Sequence, residues 1–141
     1  MQFKSEAKQI DYSSKVSKLS FILRGDMEFL AGIRMFEHAT LVEEDLNMDE
    51  VYDALDSFGG ASKIAFEHQD LELEARCETW IGKIYDKALK KESKAMTHYN
   101  NVIRLAESLK PRDVSREPWF KEAKLRLTTI RDKRRLDEEA A

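Results

Sequence analysis

Cysteine, proline and glycine are all scarce in this chain, and each shortage removes a class of structure. The single cysteine, Cys77, leaves no partner for an intrachain disulfide and no thiolate set for zinc, so a reducing compartment is the default. Two prolines and five glycines in 141 residues leave little to interrupt helices. No apolar run approaches the roughly 20 residues that span a bilayer. The opening stretch MQFKSEAKQIDYSSK has no apolar core of the kind a secretory signal needs. These absences predict a cytoplasmic or nuclear protein with no membrane partner. The chain suits one domain, long enough to bury a core without metal or disulfide staples.

What the chain does contain is helical periodicity, with no convincing strand alternation. Residues 1–25 form a polar N-terminal segment in which a short helix could run from about Val16, capped by Ser13 or Ser14 and ended by Gly25. The helical domain follows over 26–139. Asp26 caps a first helix at about 27–46, carrying Met27, Leu30, Ile33, Phe36, Ala39 and Val42 at helical spacing. Asn47 with Glu50 resembles a capping box opening a helix at 48–68. Asp70 caps a third at 71–91, with Leu73, Cys77, Ile81, Ile84, Tyr85 and Ala88 along one stripe. Ser93 starts a fourth at 94–110, stopped by Pro111, and Ser115 caps a fifth at 116–136 with Pro118 in its first turn. The expected fold is all-α, with five or six helices in antiparallel pairs.

Two of these helices repeat one another. At an offset of 41 residues, Ala54, Phe58, Ala61 and Ile64 fall on Ala95, Tyr99, Val102 and Leu105, and Gly82 falls on Ala123. Gly82, Tyr85, Ala95, Tyr99 and Val102 follow one another as small residue, tyrosine, alanine, aromatic and aliphatic. In this the stretch WIGKIYDKALKKESKAMTHYNNVIRLA resembles the tetratricopeptide repeat, and Ala54, Phe58 and Ala61 repeat its second half. The period exceeds the usual 34 residues, like the longer-helix variants of that family. The match covers 50–111 well and 119–127 in part. It departs in the first helix, where the shifted pattern puts Leu41 and Glu44 at the small and tyrosine positions. The resemblance implies a short right-handed superhelix of stacked helix pairs. A plain helical bundle stays open beside it.

Catalytic and metal-binding patterns were sought and none was found. His38, His68 and His98 lack the glutamate three residues upstream that a di-iron bundle uses; Met35, Ala65 and Ala95 stand there instead. Cys77 sits in an apolar stripe and reads as a small buried side chain. Gly59-Gly60 lacks the following Lys-Ser or Lys-Thr of a phosphate loop, and reads as a place of close helix packing. The expectation is a non-enzyme without metal or cofactor.

The distribution of charge is more informative than its total. Residues 26–78 hold fifteen Asp and Glu against three Lys and Arg, whereas residues 83–135 hold sixteen Lys and Arg against seven Asp and Glu. In a stacked helical array, sequence order becomes spatial order, so one end is acidic and the other basic. Such a molecule could self-associate through its opposite ends. The family resemblance places a binding groove on the first helix of each pair, which implies that Arg76, Thr79, Trp80, Lys83, Asp86, Lys87, Phe120, Lys121 and Lys124 line it. The expected function is a protein-interaction module or adaptor that takes an acidic or carboxylate-bearing peptide in a basic groove. Trp80 stands where the family's chaperone-tail clamp needs asparagine, so chaperone C-termini are not the expected ligand. Two alternatives remain: a nucleic-acid-associated protein using the basic half, which the overall acidity argues against, and a helical bundle serving as an assembly subunit.

Overall fold

The structure, a computed structural model, describes residues 23–41 and 45–140. They form five helices and no strand: α1 over residues 23–39, α2 (Met48–Glu67), α3 (Leu71–Lys83), α4 (Glu92–Ser108) and α5 (Pro118–Ala140). A π-helical turn, Ile84–Ala88, continues α3. The chain is thus all-α, as its periodicity predicts. The expected helix from Val16 and its serine caps lie outside the described residues.

Local chemistry accounts for most helix boundaries. Asn47 Oδ1 accepts from the Glu50 N–H at 3.2 Å while its Nδ2 donates to the Glu50 carboxylate at 3.1 Å, which opens α2. Asp70 Oδ1 accepts from the Leu73 N–H at 3.1 Å and opens α3. Pro118 takes the first position of α5, where its missing N–H costs nothing.

Four boundaries depart from expectation. Helix α1 passes through Gly25 and Asp26 without a break. Gly25 is buried where a Cβ would stand 3.2 Å from the Ile64 and Leu73 side chains, so it serves helix approach instead of termination. The same helix gives way to a turn at Thr40, short of residue 46. Helix α4 starts at Glu92, with Lys91 and not Ser93 before it. The first bonds of α5 run from the Phe120 and Lys121 N–H groups to Glu117 O, while the Ser115 N–H turns to Asp113 Oδ1 at 3.0 Å.

Both inner turns use a left-handed residue that is not glycine. Gln69 at φ 58° closes α2, with the Asp70 N–H donating to Ala65 O at 2.8 Å and the Gln69 N–H to Phe66 O at 3.2 Å, a Schellman arrangement. Lys90 at φ 55° plays that part after the π-turn, where the Lys91 N–H donates to Tyr85 O at 2.7 Å.

Helix α3 is the hub of the fold. Leu73 and Cys77 pack with Ala61 and Ala65 of α2, and Ile81 and Ile84 with Phe36, Val51, Ala54 and Phe58. Ala75 looks the other way, into Tyr99, Val102 and Leu105 of α4 and Trp119, Ala123 and Leu127 of α5. Burial on several sides explains why so much of α3 is small or apolar. Each helix pair is held at a glycine. A Cβ on Gly32 would stand 2.9 Å from the Phe58 ring, and one on Gly82 2.7 Å from the Tyr99 ring. Both rings are fully buried. Gly59, by contrast, has nothing within 4 Å of a Cβ, and Gly60 meets only the Glu28 carboxyl. Among the described residues the expectation that this pair serves close packing fails, because Gly59 faces outward and Gly60 has only ordinary contact with Glu28.

Candidate functional site

The first helices of the pairs, α1 and α3, meet edge to face through aromatic side chains. Trp80 stacks on Phe58 with centroids 5.5 Å apart and planes at 13°, and meets the Phe36 edge at 6.1 Å. Lys83 covers the Trp80 ring at 4.2 Å and reaches Glu122 of α5 at 3.1 Å. Just beyond this contact lies a cavity of about 560 Å³. Among the described residues its lining combines Phe36, Leu46 and Ala88 with Thr40, Lys83, Lys87 and Lys90 and includes no carboxylate, while Lys87 also lies 4.0 Å from Glu122. A second concavity, of about 420 Å³, shares Lys90 and adds Lys91, Lys94 and Arg134 opposite Asp86 and Glu92. Lys90, Lys91 and Lys94 form no ion pair among the described residues; Lys94 instead lies 5.5 Å above the Tyr85 ring.

The residues expected to line a groove take different positions. Lys83 and Lys87 lie together on the first cavity, with Trp80 half-buried beside them. Thr79 is 2% exposed and donates its hydroxyl to Ala75 O and Trp119 O, both at 3.1 Å. It joins α3 to α5 and is unavailable to a ligand, a correction to the groove assignment. Asp86 is also withdrawn, 7% exposed beneath Arg126. Arg76 is exposed at 2.8 Å from Glu72. Lys121 and Lys124 are exposed on α5, Lys124 above the half-buried Phe120, and none of these three lines the cavity of Lys83 and Lys87.

Inward from the groove lies a polar cluster that helical periodicity did not signal. Arg126 Nε and Nη2 donate to the two Asp86 oxygens at 2.7 and 3.0 Å, and the Tyr99 hydroxyl donates to Asp86 Oδ2 at 3.2 Å. This ties α3, α4 and α5 at one point. Asp86 holds the Arg126 guanidinium in its charged form. Burial, then the Asp86 charge, pushes the Tyr99 phenol above its ordinary range. A usable clue lay in the spacing: Asp86 and Arg126 are separated by nearly the repeat offset, as are Glu72 and Arg112, which pair at 2.7 Å.

The histidines serve helix pairing or helix ends. His38 on α1 pairs with Glu50 on α2, and His98 on α4 with Glu78 on α3 at 2.5 Å, beneath the stacked Tyr85 ring. His68 is the C-cap of α2. Among the described residues no three His, Cys, Asp or Glu side chains group as metal ligands. Burial pushes the Cys77 thiol up, so it stays protonated at neutral pH and is a poor nucleophile. Among the described residues no helix is long and apolar enough to cross a membrane. The chain matches no protein-family model, no curated protein and no solved structure.

Proposed function

We propose that this chain is a helical-repeat interaction module, similar in plan to the tetratricopeptide repeat, that takes an acidic peptide segment in the groove between α1 and α3. The observation that carries the reading is the cavity with an apolar floor, Phe36, Leu46 and Ala88, and a rim of Lys83, Lys87 and Lys90, of which Lys83 and Lys87 share the one carboxylate of Glu122 and Lys90 has no ion pair among the described residues. Its floor suits one apolar side chain, and its rim suits carboxylates on either side. The repeat plan draws support from the two glycine-to-ring contacts, Gly32 on Phe58 and Gly82 on Tyr99, and from the α1–α3 and α3–α5 contacts between first helices. The binding role is that of an adaptor and needs no catalysis.

Trp80 packs on Phe58 and Phe36, so truncating it would cost stability along with binding. Lys87 and Lys90 are the better probes, since both are exposed. The test is fluorescence anisotropy with a labelled peptide of Asp and Glu around one aromatic residue. Wild type binds it in a salt-sensitive way. Lys87→Glu/Lys90→Glu weakens binding about tenfold or more with unchanged helicity. Equal binding by both proteins, or equal binding of a basic control peptide, removes the groove as the site.

A further inference from the structure

We infer that the acidic segment received by this groove is the exposed face of α2 in a second copy of the chain, so that copies join head to tail. The inference rests on the reading of the groove as a carboxylate-binding surface, and it names the partner.

Helix α2 carries what the groove lacks. Asp49, Asp53 and Asp56 recur at helical spacing, are exposed, and form no ion pair among the described residues. Like charges three and four residues apart on one helix repel, so the stripe is mildly unfavourable in an isolated chain and gains from a cationic surface. Tyr52, 48% exposed, sits within it. An aromatic ring flanked by carboxylates is the occupant suited to an apolar floor rimmed by lysines.

The same face bears Gly59, which a Cβ would not crowd. Glycine inside a helix costs about 1 kcal/mol relative to alanine. Among the described residues no contact uses its bareness, which leaves the α2 backbone open there to close approach. The acidic stripe ends before the exposed Lys63, which stands one turn past Gly59. Lysines 90, 91 and 94, without acidic partners of their own, provide the matching charge.

The α2 face and the groove are different surfaces, so the contact is heterologous. It leaves a free groove at one end of every assembly and a free α2 face at the other, and grows by addition unless it closes into a ring. A symmetric dimer would leave neither.

The experiment measures mass by sedimentation velocity across protein concentration at low and high salt. It compares wild type, Lys87→Glu/Lys90→Glu, Asp53→Lys/Asp56→Lys, and an equimolar mixture of the two variants. Wild type gains mass with concentration and loses it at high salt. Each variant alone stays monomeric with native helicity. The mixture gains mass again, because an intact groove meets an intact α2 face and the two reversed surfaces, glutamates against lysines, also match in charge. A wild type that stays monomeric at its highest soluble concentration overturns the inference, as does either variant associating like wild type. The labelled acidic peptide separates the two readings. If Asp53→Lys/Asp56→Lys binds it like wild type while wild type stays monomeric, the groove stands and the second copy falls; if neither protein binds it, both fall.

Discussion

In α1/α2 the glycine Gly32 presses on Phe58; in α3/α4 the glycine Gly82 presses on Tyr99. A histidine–glutamate pair spans each of these helix pairs, His38 to Glu50 in the first and Glu78 to His98 in the second. The two units differ by one oxygen atom at the buried ring. Phe58 ends among apolar neighbours and Trp80, whereas the Tyr99 hydroxyl reaches Asp86, which Arg126 of α5 holds. That oxygen couples the second pair to a third element. Among the described residues the first pair has no comparable tie, and most of its acids are exposed and form no ion pair. One unit is therefore tied to a third helix through a buried charge, and the other is held by apolar contacts.

The buried tie gives the largest expected effect. Arg126→Ala leaves the Asp86 carboxylate, 6% exposed at the side chain, with only the Tyr99 hydroxyl, and should cost about 3 kcal/mol by urea unfolding. Asp86→Ala/Arg126→Ala should cost less than the sum of the single variants, because the groups act as one network. Additive single effects would mean that the cluster is not a unit and that the two helix pairs are equivalent.

The glycines come next. Gly82→Ala places a methyl against a ring pinned at its hydroxyl, and should destabilise by roughly 1–3 kcal/mol. Gly32→Ala meets Phe58, whose ring has no polar tether and can yield more, while the gain in helix propensity from alanine is the same at both sites. The expected order is a larger loss at Gly82. Equal losses would show that the hydroxyl does not fix the ring.

The same oxygen predicts a pH effect. Tyr99 has its phenol raised by burial and by Asp86, so its contribution is fully present below the ordinary tyrosine value of about 10 and is lost as pH climbs above it. Tyr99→Phe should cost about 1 kcal/mol at neutral pH through the lost hydrogen bond. Its stability should also fall less steeply than wild type above pH 10. Parallel alkaline profiles would mean that the phenol is not held in its neutral form.

The number and type of the helices were legible because apolar stripes at spacings of three and four survive any tertiary arrangement. The 41-residue correspondence was legible in the second helices, where Phe58 and Tyr99 both take a fully buried place against a glycine. In the first helices the same offset does not hold. Counting back 41 residues from Gly82 lands on Leu41, while the residue that packs like Gly82 is Gly32, nine positions earlier, because the connection from α1 to α2 is longer. Lys83 and Lys87, which the family resemblance places side by side, line one cavity. Thr79 does not, because α5 covers that side of α3, a neighbour that spacing within one helix does not report. The pairing of Asp86 with Arg126 also depends on that neighbour, so a carboxylate that reads as solvated in sequence is buried in the fold.

The smallest expected effect separates stability from binding at two matched turns. Gln69 and Lys90 each hold a positive φ that L side chains adopt at a cost of about 1 kcal/mol or somewhat more. Glycine removes that strain and gives part of it back as unfolded-chain entropy, so Gln69→Gly and Lys90→Gly should each raise stability by roughly 0.5 kcal/mol. Their consequences for the groove should differ. Gln69 lies outside both basic concavities, and Lys90 lines both. Acidic-peptide affinity should be unchanged in Gln69→Gly and reduced in Lys90→Gly, although both proteins melt slightly higher. If the two variants bind alike, the charge at Lys90 is not part of the recognition surface, and acidic-peptide binding must rest on Lys83 and Lys87 alone.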